Sequence, residues 1–232
     1  MKSDFQELTS RGYIEPTAEA EFQQLEFQRR VNLLHSNIPS ERSLGARLLA
    51  NEDSPEAINL LIDALKKEKK LYSKIEICDA LVKQGKPAVK PLISVLGKIG
   101  NNQHTEVPQI PFNKKSYPLP RDIVARTVSR MGKIALPDLL DALNSTDISQ
   151  LSEIVDAIGY IGFYNYDTEV YEKLIQCYTE NQNNDLIRWK VIRAMSGLPE
   201  SKNFLTERLE TEKNYGIKLE IERSLKLINS RR

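Results

Sequence analysis

A unit of about thirty residues recurs along this chain, and that recurrence limits the fold more than any other feature. The clearest copy, RSLGARLLANEDSPEAINLLIDAL, runs from Arg42 to Leu65. It returns as KIEICDALVKQGKPAVKPLISVL from Lys74 to Leu96 and as RDIVARTVSRMGKIALPDLLDAL from Arg121 to Leu143. Weaker copies begin at Leu151, Arg188 and Lys218, giving start-to-start spacings of 32, 47, 30, 37 and 30 residues. That length accommodates one helix, a turn and a second helix. A pair this short cannot bury its apolar faces alone, so successive pairs must stack on one another.

The residue pattern inside each copy agrees with two helices. Ala46 and Leu49, Cys78 and Leu81, and Ala125 and Val128 occupy matching positions of the first helix. There the small residue allows close approach and the larger one fills the space between neighbours. Gly85, Gly132 and Gly162 follow the first helix, where a left-handed C-terminal cap favours glycine. Ser54-Pro55 reads as an N-cap followed by proline at the first helical position. In the second helix, Leu60, Leu61 and Leu65, and likewise Leu139, Leu140 and Leu143, form stripes at helical spacing rather than strand alternation. Thr17 to Ser36 reads as one further helix, N-capped by Thr17 and apolar at Phe22, Leu25, Phe27, Val31 and Leu34. Residues 1–38 are therefore expected to cap the open end of a stack spanning 39–232, with a helix from Ile217 to Ile228 closing the far end.

Gly85-Lys-Pro-Ala-Val-Lys-Pro-Leu-Ile93, Arg121-Asp-Ile-Val-Ala-Arg126 and Met131-Gly132 carry a resemblance to the HEAT-like repeats of phycobilisome-lyase-type proteins. The resemblance extends from about residue 39 to 229 and weakens after the third copy, where Phe163 to Thr168 interrupts the fourth. It implies an all-α fold, an α-solenoid built as a right-handed superhelix of helical pairs. It also implies that second helices line a concave face, with Lys90 and Lys98 preceding Asp138 and Asp141 along it. Repeats of this kind specify a fold and leave function open.

The formal charge of +1 hides a strong segregation of sign. Residues 1–65 hold 6 basic and 11 acidic side chains; residues 66–133 hold 15 and 5. Residues 134–180 reverse this with 1 and 9, and the remainder holds 11 and 7. Blocks of this size create local fields that steer partners although the total is near zero. The run Lys66, Lys67, Lys69 and Lys70 also suits a solvated helix end.

Between the second and third copies lies IGNNQHTEVPQIPFNKKSYPLP, residues 99–120, in which Pro108, Pro111, Pro118 and Pro120 forbid a continuous helix. An irregular segment this long inside a stack of helices is uncommon and usually functional or disordered. Three readings stand open: a strap packing Ile110, Phe112 and Tyr117 onto its own repeats, a partner contact, or disorder. As a contact surface it would present Phe112, Lys114, Lys115, Tyr117 and Arg121, an exposed aromatic anchor inside a basic rim.

Catalytic signatures are missing. HEAT-like hydroxylases hold iron through His-Glu dipeptides, whereas His35 here precedes Ser36 and His104 precedes Thr105. No Walker loop, dinucleotide-binding glycine set or serine elbow occurs. Cys78 and Cys177 lie far apart within apolar patterns, as buried structural thiols do, and suggest a reducing, cytoplasmic setting. Met1 to Pro16 lacks the apolar stretch of a secretory signal, and no run approaches the ~20 apolar residues of a membrane helix. Some HEAT-like proteins resemble alkylpurine DNA glycosylases, which place aromatic residues and an aspartate on a basic concave face. Trp189, in Arg188-Trp-Lys190, is the one tryptophan available for that role. The sequence thus favours a non-catalytic protein-protein interaction scaffold for an acidic or mixed-charge partner surface. No catalytic residue, cofactor or metal is expected, and nucleic acid is disfavoured. A nucleic-acid-processing protein of the glycosylase kind, or a lyase-type accessory protein, is the alternative.

Overall fold

The computed structural model describes residues 4–230, and every regular element among them is helical. Thirteen α-helices are joined by turns and short 3-10 segments. The chain packs as two units, dividing between Leu92 and Ile93.

The first unit contains α1 (Phe5–Ser10), α2 (Phe27–Leu34), α3 (Pro39–Leu49), α4 (Pro55–Lys67), α5 (Leu71–Gln84) and most of α6 (Lys86–Ile93). α3 packs between α2 and α5, and α4 lies against α5. The anticipated cap at Ser54 is present: its side chain accepts from the Ala57 amide at 3.1 Å, with Pro55 opening α4. Gly85 ends α5 at φ +65° and ψ −140°, a positive-φ conformation that glycine tolerates but not the left-handed helical cap expected there.

The stretch from Thr17 to Ser36 is not one helix. A 3-10 turn at Ala20–Phe22 is followed by extended backbone at Glu26, and only then does α2 begin. Arg30 gives the physical reason. Its guanidinium donates to the carbonyls of Gln23 and Leu25 while pairing with Glu52, so these carbonyls bond to a side chain instead of helical amides.

The second unit contains α7 (Ile123–Arg130), α8 (Leu136–Asp141), α9 (Ile148–Tyr164), α10 (Thr168–Glu180), α11 (Asp185–Ala194), α12 (Lys202–Thr211) and α13 (Tyr215–Ser230). α7, α9, α11 and α13 pack side by side in chain order, and α8, α10 and α12 each lie on a neighbour in that row. α9 is the centre of the unit, buried without a break from Leu151 to Gly159. Gly162, expected to end a helix, lies inside α9, which continues to Tyr164. The interruption after Phe163 therefore begins later than the sequence pattern suggests.

One device appears in both units. Glu68, at the C-terminal end of α4, accepts from the amides of Lys69 and Lys70, both at 2.8 Å, and takes a two-pronged pair from Arg42 at 2.7 and 3.0 Å. Glu212, at the end of α12, accepts from the amides of Lys213 and Asn214 and pairs with Arg188. In each unit a carboxylate fixes the turn between a second helix and the next first helix, and an arginine neutralises it. The four lysines of the run are exposed, as at a solvated helix end, and Glu68 at its centre is the buried anchor. Cys78 and Cys177 are both buried, and burial pushes the Cys177 thiol up to about 12.

Candidate functional site

In the second unit, residues 99–120 fold back over α9, α11 and α13 and roof a cavity of about 600 Å3. The segment is a packed strap, held by its own side chains. Gln103 donates to the carboxylate of Asp122 at 2.6 Å, while Asp122 also caps α7 through the Ala125 amide at 2.7 Å. At the other end, Arg223 on α13 donates to the carbonyls of Ser116 at 2.8 Å and Lys114 at 3.3 Å. Arg126 donates to the Pro120 carbonyl at 3.0 and 3.1 Å. Prolines remove amide donors from this stretch, and arginines take up the carbonyls that remain.

Tyr117 is the strap's main anchor. It is 2% exposed, so it is not the surface aromatic that the sequence suggested. Its ring packs with Phe163 and Leu227 and meets Tyr160 edge-on, and its hydroxyl donates to Asp156 at 3.3 Å. Gly159 makes this possible. A Cβ there would stand 2.2 Å from the Tyr117 hydroxyl oxygen. Gly216 does the same at α13, where a Cβ would stand 2.4 Å from the Pro108 carbonyl oxygen. Small residues on two helices admit the strap.

The five residues expected to form one contact surface are therefore divided. Phe112 is partly buried beneath the guanidinium groups of Arg193 and Arg223, at 5.5 and 5.0 Å from its ring centre. Lys114 and Lys115 are exposed. Arg121 is also exposed, contacting Asn102 at 3.3 Å. Two exposed aliphatic side chains join them, Ile110 at 76% and Leu119 at 57%.

The cavity floor rests on buried charges. Lys190, fully buried, bridges Glu153 at 2.7 Å and Asp156 at 2.9 Å. Glu220 takes Arg223 at 2.6 Å and Arg193 at 3.4 Å. Arg193 also lies over Trp189, with its guanidinium carbon 3.8 Å from the ring centre. His104 of the strap meets Trp189 edge-on at 5.0 Å. Burial, assisted by Arg193, pushes the His104 imidazole down to about 4, so it is neutral at ordinary pH. Burial pushes Glu153 up to about 7 against the pull of Lys190. Asp156 is also opposed by burial, yet Lys190 and Arg193 hold it below the usual carboxylate range. Burial and Asp156 raise the Tyr117 phenol well above 10.

This charged cluster was missed because its members sit one at a time within apolar helices. The signal was present. Glu153 and Asp156 interrupt the long apolar run of α9, and Lys190 and Arg193 interrupt that of α11. Charges in such positions must be paired. Among the described residues, no group of three or more His, Cys, Asp and Glu side chains is arranged to hold a metal ion, and no helix is long and apolar enough to cross a membrane.

No family model and no curated protein matches the chain. Two solved structures align with the chain at low TM-scores. One engineered protein aligns over 89% of this chain and 98% of its own length, at 19% identity and a TM-score of 0.39. A second engineered protein aligns over 95% of this chain and 62% of its own, at 17% identity and a TM-score of 0.38.

Proposed function

We propose that this chain is a HEAT-like α-solenoid, a right-handed stack of helical pairs, acting as a non-catalytic scaffold for a protein partner. The observation that carries the reading is the outer face of the strap. Ile110 and Leu119 stand exposed beside Lys114, Lys115 and Arg121, on a segment tied down by Tyr117, Phe112 and Arg223. Aliphatic anchors within a basic rim suit an acidic or mixed-charge protein surface, and a held segment loses little freedom on binding. Successive first helices packed in chain order support the stacked arrangement within the second unit.

Affinity purification from the native cell tests this reading, comparing the unmodified chain with the variant Ile110→Ser, Leu119→Ser, Lys114→Ala, Lys115→Ala and Arg121→Ala. Specific partners should be lost from the variant while its melting temperature stays nearly unchanged. The same partners captured equally by both proteins would refute the role of this face.

One observation favours a second reading, a nucleic-acid-processing protein. Asp156, Trp189 and Arg193 converge on one cavity that has Lys114 and Arg121 among its lining residues. Nucleic-acid binding through six phosphate contacts would give a log-log salt slope of about −5 on duplex DNA. The scaffold reading predicts only weak, sequence-independent binding at about 150 mM salt.

A further inference from the structure

The cavity beneath the strap has three properties that together select a ligand. Its volume of about 600 Å3 lies within the ~300–1,000 Å3 of small-molecule sites. Aromatic rings of Trp189, Phe112 and His104 line it, together with Pro111, Pro118 and the aliphatic Leu119, so it suits a flat apolar body. It also contains a donor with nothing to bind. Arg193 is 4% exposed and lines the cavity, and its Nε has no hydrogen-bond partner; neither has Nδ1 of His104 on the facing strap.

An arginine Nε–H that is buried and unpartnered carries a large cost unless something accepts from it. The three carboxylates in the wall do not meet that need. Asp156 is engaged by Lys190 and Tyr117, Glu220 is engaged by Arg223 and, through Nη2, by Arg193 itself, and Glu106 is exposed on the strap and does not bond to Arg193 Nε. The balance of charge points the same way. In and beneath the wall, Lys114, Arg121, Lys190, Arg193 and Arg223 face Glu106, Glu153, Asp156 and Glu220, one cation more than there are carboxylates. The cluster therefore carries an excess of positive charge that a single anion offsets.

We propose that this cavity is a binding site for a small aryl carboxylate, whose ring packs against Trp189 and Phe112 and whose carboxylate accepts from Arg193 Nε. His104, neutral at ordinary pH, is placed to donate a second hydrogen bond from Nδ1 without adding a competing charge. Stacking on Trp189 holds the guanidinium in one orientation, which lowers the ordering cost of taking the ligand. Ile110, Lys114, Leu119 and Arg121 border the cavity as well as the strap's exposed face. The five-residue strap variant therefore alters both, and it is Arg193→Met, at a buried wall position away from the strap, that separates ligand binding from partner capture.

Trp189 is the only tryptophan, so indole fluorescence reports on the cavity wall alone. The experiment titrates the full chain with 3-phenylpropionate, its amide 3-phenylpropionamide and the amine 3-phenylpropylamine. The acid should change Trp189 emission saturably and bind about tenfold or more tighter than the amide, with no response to the amine. Arg193→Met should reduce the acid to the level of the amide, with the far-ultraviolet circular dichroism spectrum unchanged. If that variant does not fold, acid against amide in the unmodified protein decides the matter, with the Trp189 indole N–H resonance in a two-dimensional NMR spectrum locating the ligand. Equal binding of acid and amide, or an unmoved Trp189 resonance at about 5 mM acid, would overturn the proposal. Preference for a tripeptide ending in phenylalanine over the free acid would also overturn it, assigning the cavity to a partner's chain end.

Discussion

Replacing Lys190 with Met removes the one cation that holds two carboxylates inside the second unit. Lys190 is fully buried, and its ammonium lies 2.7 Å from Glu153 and 2.9 Å from Asp156. Met keeps the unbranched stem and the packing but leaves Glu153 without its ion pair and Asp156 with only the Tyr117 hydroxyl and the field of Arg193. Breaking a buried pair from one side costs about 3–5 kcal/mol. For a chain of this size each kcal/mol lowers the melting temperature by about 2–4 °C, so a fall of about 6–20 °C is expected. The loss should fall on the transition of residues 93–232, which pack as their own unit, and differential scanning calorimetry can separate it. Its pH dependence follows from the same geometry. Without Lys190 both carboxylates take up protons more readily in the folded state, so the deficit should shrink as the pH falls from 8 towards 5. Adding Glu153→Gln to Lys190→Met should recover about 1–2 kcal/mol by removing one stranded charge. A deficit below about 1 kcal/mol at neutral pH, or one that does not vary with pH, would refute the buried bridge.

Further outcomes follow from particular contacts. Glu153, raised to about 7, contributes stability below its unfolded value that is lost as pH rises through 7; His104, lowered to about 4, contributes stability above its unfolded value that is lost as pH falls. Between pH 5 and 7 these trends oppose, so on acidification the melting temperature of Glu153→Gln should fall, and that of His104→Asn rise, relative to the unmodified protein. Gly159→Ala, whose Cβ meets Tyr117 and Ala194, should cost about 1–3 kcal/mol in urea denaturation. Gly162→Ala, three residues on with only an ordinary 3.5 Å contact to Val170, should stabilise by about 0.5–1 kcal/mol. Glu68→Gln weakens the Arg42 pair and the turn after α4, and should destabilise the first unit by about 1–3 kcal/mol in the same assay, leaving the second unit's transition in place.

Helical periodicity and turn chemistry made the all-helical character legible, because Ser54-Pro55, Gly85 and the leucine stripes act within a few residues of themselves. Long-range side-chain bonds were not legible. Nothing local to Gln23–Glu26 announces that Arg30 will take two of its carbonyls, so the helix expected there is broken. Gly162 has the repeat position of a cap, yet the buried run of α9 carries the helix past it. The strap's prolines correctly predicted irregular backbone over 99–120. Tyr117, however, reads as an exposed aromatic until Gly159, forty-two residues away, is seen to leave room for its hydroxyl. The charged cluster is likewise assembled from α9, α11 and α13, none of which reveals its partner in sequence.

The claim on which the rest stands is that the strap is a fixed wall over Trp189, not a mobile loop. Acrylamide quenching of tryptophan fluorescence measures this directly, because Trp189 is the only emitter and is 2% exposed. The unmodified protein should quench several-fold less than free N-acetyltryptophanamide. Arg223→Met, which releases the carbonyls of Lys114 and Ser116, should raise the quenching constant, while the surface variant Lys114→Ala, Lys115→Ala should leave it unchanged. Quenching of the unmodified protein as rapid as that of the free indole, or no response to the loss of Arg223, would contradict the account.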